Sequence, residues 1–133
     1  MRRLRITVED YTTPSPVTAP VTAPLAELVG IMEKHGIRHV PIVEADRPVG
    51  IVSDRDTRLV QRLPGAEGLT AGEIMVREPY TVEPQEALED VALAMGRQRI
   101  GSAIVTEGGR VTGIFTLTDA LNALIEVIRG EIS

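Results

Sequence analysis

Two carboxylates, Asp56 and Asp119, each stand three residues after a hydroxyl residue, Ser53 and Thr116. Each pair closes a run that opens on glycine: Gly50-Ile51-Val52-Ser53-Asp54-Arg55-Asp56 and Gly113-Ile114-Phe115-Thr116-Leu117-Thr118-Asp119. The apolar residues after each glycine read as a short strand, and a hydroxyl residue with an acid three places on reads as the start of a helix. Such a stretch has two uses. As a cap, the Ser or Thr oxygen accepts from the unbonded N–H groups of the first turn, and the Asp sits favourably at the positive end of the helix dipole. As a site, the same N–H groups face a phosphate, while the carboxylate one turn in accepts from both hydroxyls of a ribose. Both uses stay open on these residues alone.

Other chemistry finds less support. His35 and His39 are four apart, which on a helix would put both on one face for a metal, but Gly36 interrupts the helix between them and no third ligand is near in sequence. There is no cysteine, no Gly-x-Ser-x-Gly elbow and no Gly-rich phosphate loop. No metal, no obligatory cofactor and no catalytic residue is therefore expected, and the chain reads as a non-enzyme. The basic pair Arg38-His39, directly after Ile37, is either a solvated hairpin entry or local positive charge for an anion. Arg55 could serve the site of either run, or pair on the surface with Asp54 or Asp56, a contact worth about 0–1 kcal/mol.

The elements that must position these residues occur twice. The offset of 63 positions that relates the two glycine-led runs also pairs Pro16 with Pro79, Thr18 with Thr81, Leu25 with Leu88, Met32 with Met95, Ile37 with Ile100 and Glu44 with Glu107. The chain is a tandem repeat, and repeats this short usually cannot bury their apolar faces alone. Residues 1–9 alternate Leu4, Ile6 and Val8 with polar residues, a pattern that adds an edge strand or frays, and no role is assigned to them. The first repeat spans 10–63, a linker 64–69 and the second repeat 70–130. Each opens on a lead-in turn, at Asp10-Tyr11-Thr12 and Glu73-Ile74-Met75, where Thr70 and Glu73 have capping-box spacing. Pro-rich extended backbone follows, with a short strand expected at Val17-Thr18 and at Tyr80-Thr81-Val82. Next come an amphipathic helix (Leu25, Leu28, Val29, Met32; Leu88, Val91, Ala92, Met95), a β-hairpin, and a closing helix with Leu59, Val60 and Leu63 or Leu121, Leu124, Ile125 and Ile128. The fold class is α+β, built from two β-α-β-β-α units.

Composition narrows the partners. A net charge of −5 and a pI near 5.0 argue against nucleic acid, and with 2% aromatic residues and no Trp there are no stacking platforms for single strands. Apolar runs fall far short of the roughly 20 residues that cross a bilayer, and no signal peptide opens the chain, so a soluble, cytoplasmic protein without membrane insertion is expected. Any anionic ligand must be held by local charge.

The doubled Gly-apolar-apolar-Ser/Thr-x-x-Asp run, preceded each time by an amphipathic helix and a hairpin, resembles the CBS domain, whose tandem pair is the Bateman module. The resemblance runs from about Asp10 to Ile128. It implies two repeats packed pseudo-symmetrically through their small sheets, with clefts between them that take an adenosine ligand. AMP, ADP or ATP is implied first, S-adenosylmethionine or a dinucleotide next, and the module would act by changing its own assembly or an effector protein. A ligand-free dimerisation scaffold is the other reading. By the same resemblance Arg38 and His39 reach the phosphates, Asp56 and Asp119 take ribose with Ser53 and Thr116 beside them, and Thr18, Ile37, Thr81 and Ile100 hold the base. In the second copy Gly101-Ser102 replaces Arg38-His39, which weakens a phosphate contact there and makes the first site the tighter one. Such modules commonly pair into a homodimer.

Overall fold

The computed structural model describes residues 6–130. Each amphipathic stretch forms a helix of 11 residues, α1 (Leu25–His35) and α4 (Leu88–Gln98). Their apolar stripes are the buried faces: Leu28 and Met32 in α1, Val91 and Met95 in α4. Both helices end on a left-handed residue, Gly36 (φ 62°) and Arg99 (φ 56°), whose N–H returns to the carbonyl of Met32 or Met95. The hairpins follow as β3 (His39–Glu44) with β4 (Arg47–Ser53), and β7 (Ser102–Glu107) with β8 (Arg110–Thr116). Both carry a register shift at equivalent places, Ile42/Val43 and Val105/Thr106. Helices α2 (Asp54–Val60) and α5 (Leu117–Ile128) leave the second strand of each hairpin.

Short strands complete two four-stranded sheets. Two-residue β2 (Ala19–Pro20) runs parallel to β3, and β6 (Thr81–Val82) parallel to β7. The first of these lies two residues past the expected Val17-Thr18, because Ala19, buried at 2%, supplies the inward-facing side chain. The outer edges come from residues whose strand character is not legible from pattern: β1 (Thr13–Pro14) pairs antiparallel with β8, and β5 (Val76–Arg77) antiparallel with β4. The sheet orders are β1-β8-β7-β6 and β2-β3-β4-β5.

That pairing exchanges the lead-ins. The described residues up to Ser15 join those from Tyr80 onward in one compact unit, and Pro16–Pro79 form the other. In the first of these, Val8 is fully buried among Val91, Met95, Val105 and Phe115; in the second, Ala71 is fully buried among Leu28, Met32, Val40 and Val52. The residues just before the lead-in turns also cap the long helices. Ala87 and Pro24, the residues before α4 and α1, have no side chain that can accept a hydrogen bond. The Leu88 N–H instead donates to the Ile6 carbonyl at 2.9 Å, and the Leu25 N–H to the Leu69 carbonyl at 3.0 Å. Residues 6–8 thus do have a role, one that the alternation of Leu4, Ile6 and Val8 did not disclose; residues 1–5 lie outside the described part. The lead-in turns are a 3-10 turn, Val8–Tyr11, and the one-turn α3 (Ala71–Ile74), whose Thr70–Glu73 capping box forms as expected.

Candidate functional site

In the unit of Pro16–Pro79, the β4–α2 junction brings together the candidate residues of the first repeat. Ser53 is the residue before α2, with extended backbone (φ −101°, ψ 164°). Its Oγ accepts from the Asp56 N–H at 3.2 Å, while Asp56 Oδ2 accepts from the Ser53 N–H at 2.9 Å. The cap is therefore real, and it leaves chemistry over. Among the described residues no hydrogen bond engages Asp56 Oδ1, and the Ser53 hydroxyl proton has no acceptor. One carboxylate oxygen is clamped, so the other is presented in a fixed direction, which is what recognition of a diol needs.

The same junction carries the basic pair. His39 is the Cα partner of Ser53 across the β3–β4 ladder, and the Arg38 carbonyl accepts from the Asp54 N–H at 2.8 Å, pinning the hairpin entry to the helix start. Of the N–H groups expected to face a phosphate, that of Asp54 is thus given to Arg38 and that of Asp56 to Ser53, leaving Arg55 as the backbone donor of this turn. Arg38 and Arg55 are exposed, and His39 is half-buried. Burial holds the His39 imidazole below its ordinary pKa of 6.5; the carboxylates of Asp54 and Asp56 pull it up, and Arg38 adds to the lowering. Asp54 forms its ion pair with Arg58 at 3.3 Å, one turn further along α2, rather than with Arg55. Ile37, directly before the basic pair, packs against the unit's core.

The second corner, in the other unit, repeats the frame with different chemistry. The Thr116 N–H donates to Asp119 Oδ2 at 2.9 Å, and the Leu117 N–H to the Gly101 carbonyl at 3.2 Å, matching Asp54 and Arg38. Here the hydroxyl proton has an acceptor, because Thr116 Oγ1 donates to the same Asp119 Oδ2 at 3.2 Å. Ser102 stands where His39 does, opposite Thr116 in the ladder, and is buried at 8%. Arg97 and Arg99 are exposed at the end of α4. Thr81 and Ile100 occupy the places of Thr18 and Ile37, with Ile100 against the unit's core. What the sequence pattern did not single out is Asp54, whose carboxylate bears on His39.

A cavity of about 700 Å³ in this unit lies elsewhere, between the start of α4 and α5, with Ile6, Ala87, Leu88, Ala120, Ala123 and Leu124 in its wall. Neither Thr116 nor Asp119 lines it. Among the described residues no group of three or more His, Asp or Glu is placed to hold a metal, and no helix is long and apolar enough to cross a membrane.

The sequence pattern of the CBS domain matches residues 8–59 and again 71–126. The chain belongs to the CBS domain family. As a CBS pair it is similar to the CBS domain-containing protein YhcV of Bacillus subtilis, 27% identical over 113 residues, covering 84% of this chain and 81% of that one. It is also similar to an L-aspartate semialdehyde sulfurtransferase of Methanocaldococcus jannaschii, 33% identical over 114 residues, but this chain spans only 22% of that enzyme's length. Among solved structures, the proposed acetoin utilization protein AcuB of Vibrio cholerae superposes with a TM-score of 0.84 at 34% identity, covering 95% of each chain. The CBS pair of protein MJ0100, solved with 5′-methylthioadenosine and S-adenosylmethionine, superposes at 0.83 with 29% identity, covering 92% of this chain and 97% of that one. CBSX2 solved with AMP shares the fold at 21% identity, with a TM-score of 0.81 and coverage of 91% and 97%.

Proposed function

We propose that this CBS pair is a regulatory, non-catalytic module that binds an adenosine nucleotide, AMP, ADP or ATP, and changes its own assembly or a partner protein in response. The observation that carries this is the first-repeat corner: a clamped Asp56 with one oxygen uncommitted, a Ser53 hydroxyl proton without an acceptor, and the basic Arg38-His39 pair on the same junction. Asp56 accepts from the ribose hydroxyls. Ser53, Arg38, His39 and Arg55 hold phosphate by charge-assisted hydrogen bonds, which an acidic protein must supply locally. Ile37 and the backbone near Thr18 hold the base. The second corner, with Asp119, Thr116 and Ser102 and the base contacts Thr81 and Ile100, offers ribose recognition without the basic pair, and it takes the nucleotide more weakly. The adenosine ligands of MJ0100, at 29% identity, support the ligand class.

Assembly belongs to the same proposal. Leu117, Leu121, Leu124, Ile125 and Ile128 recur along one face of α5 and are 45–74% exposed, and Leu59 in α2 and Leu63 just after it are 55% and 56% exposed. A second copy of the chain is the occupant we assign to these faces, making a homodimer.

With no Trp and two Tyr the protein absorbs weakly at 280 nm, so carried-over adenine shows directly near 260 nm. The reading predicts that signal, or a thermal shift with AMP, ADP or ATP in a panel that includes S-adenosylmethionine and a dinucleotide. No adenine signal and no shift across the panel leaves a scaffold. Conversion of ATP on incubation, seen by chromatography, contradicts the non-catalytic part.

A further inference from the structure

The first-repeat corner is unusual in holding both signs of charge around one half-buried imidazole. His39 stands across the ladder from Ser53, the residue whose hydroxyl proton is unengaged. From α2 it is faced by Asp54 and Asp56, and from its own entry by Arg38. The other elements against β3 bring no charge to the ring: β2 brings Ala19, α1 brings Leu28 and Met32, and the charged residue of β4, Arg47, sits at the opposite end of the ladder across from Glu44. Without ligand, the half-buried ring is neutral near pH 7, since burial outweighs the pull of the two carboxylates. A phosphate monoester has its second ionisation near pH 6, so at neutral pH it arrives as a dianion. Placed beside Ser53, it adds two negative charges next to that ring, with Asp54 and Asp56 already on the same side. The ring nitrogen that faces the phosphate is useful to it only as a donor.

We infer that His39 selects among adenosine ligands by proton linkage: a phosphate dianion enters this corner together with a proton that settles on His39, whereas an uncharged or sulfonium adenosine enters without one. This rests on the nucleotide reading above and specifies how the site tells its ligands apart. The second corner has Ser102 in the place of His39 and no titrating group there, so the device is confined to the first repeat. The sign follows from linkage. A group that binds a proton more tightly in the complex than in the free protein makes affinity fall as pH rises between its two pKa values. Burial holds the free ring below its ordinary 6.5, and the added negative charge of a bound dianion raises it, so the window of pH dependence opens at the free value and runs upward.

The test is titration calorimetry of the whole chain with AMP at about pH 7.2 in two buffers of different ionisation enthalpy, with dissociation constants followed from about pH 6.5 to 8. Adenosine and S-adenosylmethionine serve as the uncharged and sulfonium probes. The expected result is uptake of roughly half a proton or more per AMP at the tight site, with AMP affinity falling roughly tenfold across the range. Adenosine affinity stays flat, and S-adenosylmethionine affinity does not fall. His39→Gln keeps a hydrogen-bonding side chain but cannot titrate, so it binds AMP without proton uptake and without the pH slope. AMP binding to the wild type with no uptake, or uptake that persists in H39Q, overturns this inference and leaves the nucleotide reading standing. Failure of the wild type to bind any adenine nucleotide at any of these pH values overturns both.

Discussion

At the scale of single residues, the glycine that opens each Gly-apolar-apolar-Ser/Thr-x-x-Asp run is fixed by what crosses it. A Cβ on Gly50 would meet the Met75 side chain, and one on Gly113 would meet the Thr12 methyl and lie 3.2 Å from the Thr13 carbonyl oxygen. Met75 is flexible and can move aside, whereas Thr12 is β-branched and its neighbour is backbone. Gly113→Ala should therefore cost about 1–3 kcal/mol of stability, and Gly50→Ala distinctly less. Urea unfolding of the two variants checks the order, and equal losses would contradict it. The glycines were legible as a repeated feature. The reason for them was not, because the crossing residue belongs to a lead-in far away in sequence. The capping boxes themselves were fully legible, since Ser53 with Asp56 and Thr116 with Asp119 bond within four residues. The influence of Asp54 on His39 was hidden, as it depends on the ladder that sets His39 opposite Ser53.

At the scale of elements, the two hairpins solve the same turn with different residues. Both central positions of the first turn, Ala45 (φ 50°) and Asp46 (φ 65°), are left-handed, as are Gly108 (φ 60°) and Gly109 (φ 79°) in the second. Glycine adopts that backbone freely and a Cβ does not, at a cost of about 1–2 kcal/mol per residue. Replacing Ala45-Asp46 by Asn-Gly should stabilise the protein by about 1 kcal/mol, raising its melting temperature without altering nucleotide affinity. A lower melting temperature would show that the first hairpin depends on Asp46 for something other than its turn. The long helices and hairpins could be read from period and turn chemistry. The edge strands β1 and β5 could not, being two residues long and, in β1, half proline. Nor could the capping of α4 by the Ile6 carbonyl, since a backbone acceptor leaves no side-chain signature at Ala87.

At the scale of the whole molecule, the exposed apolar face of α5 predicts association, and it should respond to charge placed at its centre. Leu121 and Ile125 are 58% and 45% exposed, so Leu121→Glu with Ile125→Lys disturbs little of the unit's own core while opposing burial against a second copy. Sedimentation should give a dimer for the wild type at tens of micromolar and a monomer of unchanged thermal stability for the double variant; a monomeric wild type, with and without AMP, removes the assembly proposal. The two capping-box corners fall in different compact units, one with the Arg38-His39 pair and one without, and that asymmetry is what the proposed function stands on. It is tested most directly by calorimetric titration of AMP into the wild type, Asp56→Ala and Asp119→Ala. Loss of a charged hydrogen bond, worth about 1.5–3 kcal/mol, should weaken the tight phase roughly 10- to 150-fold in Asp56→Ala and leave it largely intact in Asp119→Ala. A tight phase that survives Asp56→Ala and disappears in Asp119→Ala would contradict the account by reversing the sites, and one that survives both would mean that the two Ser/Thr-x-x-Asp runs are helix caps alone.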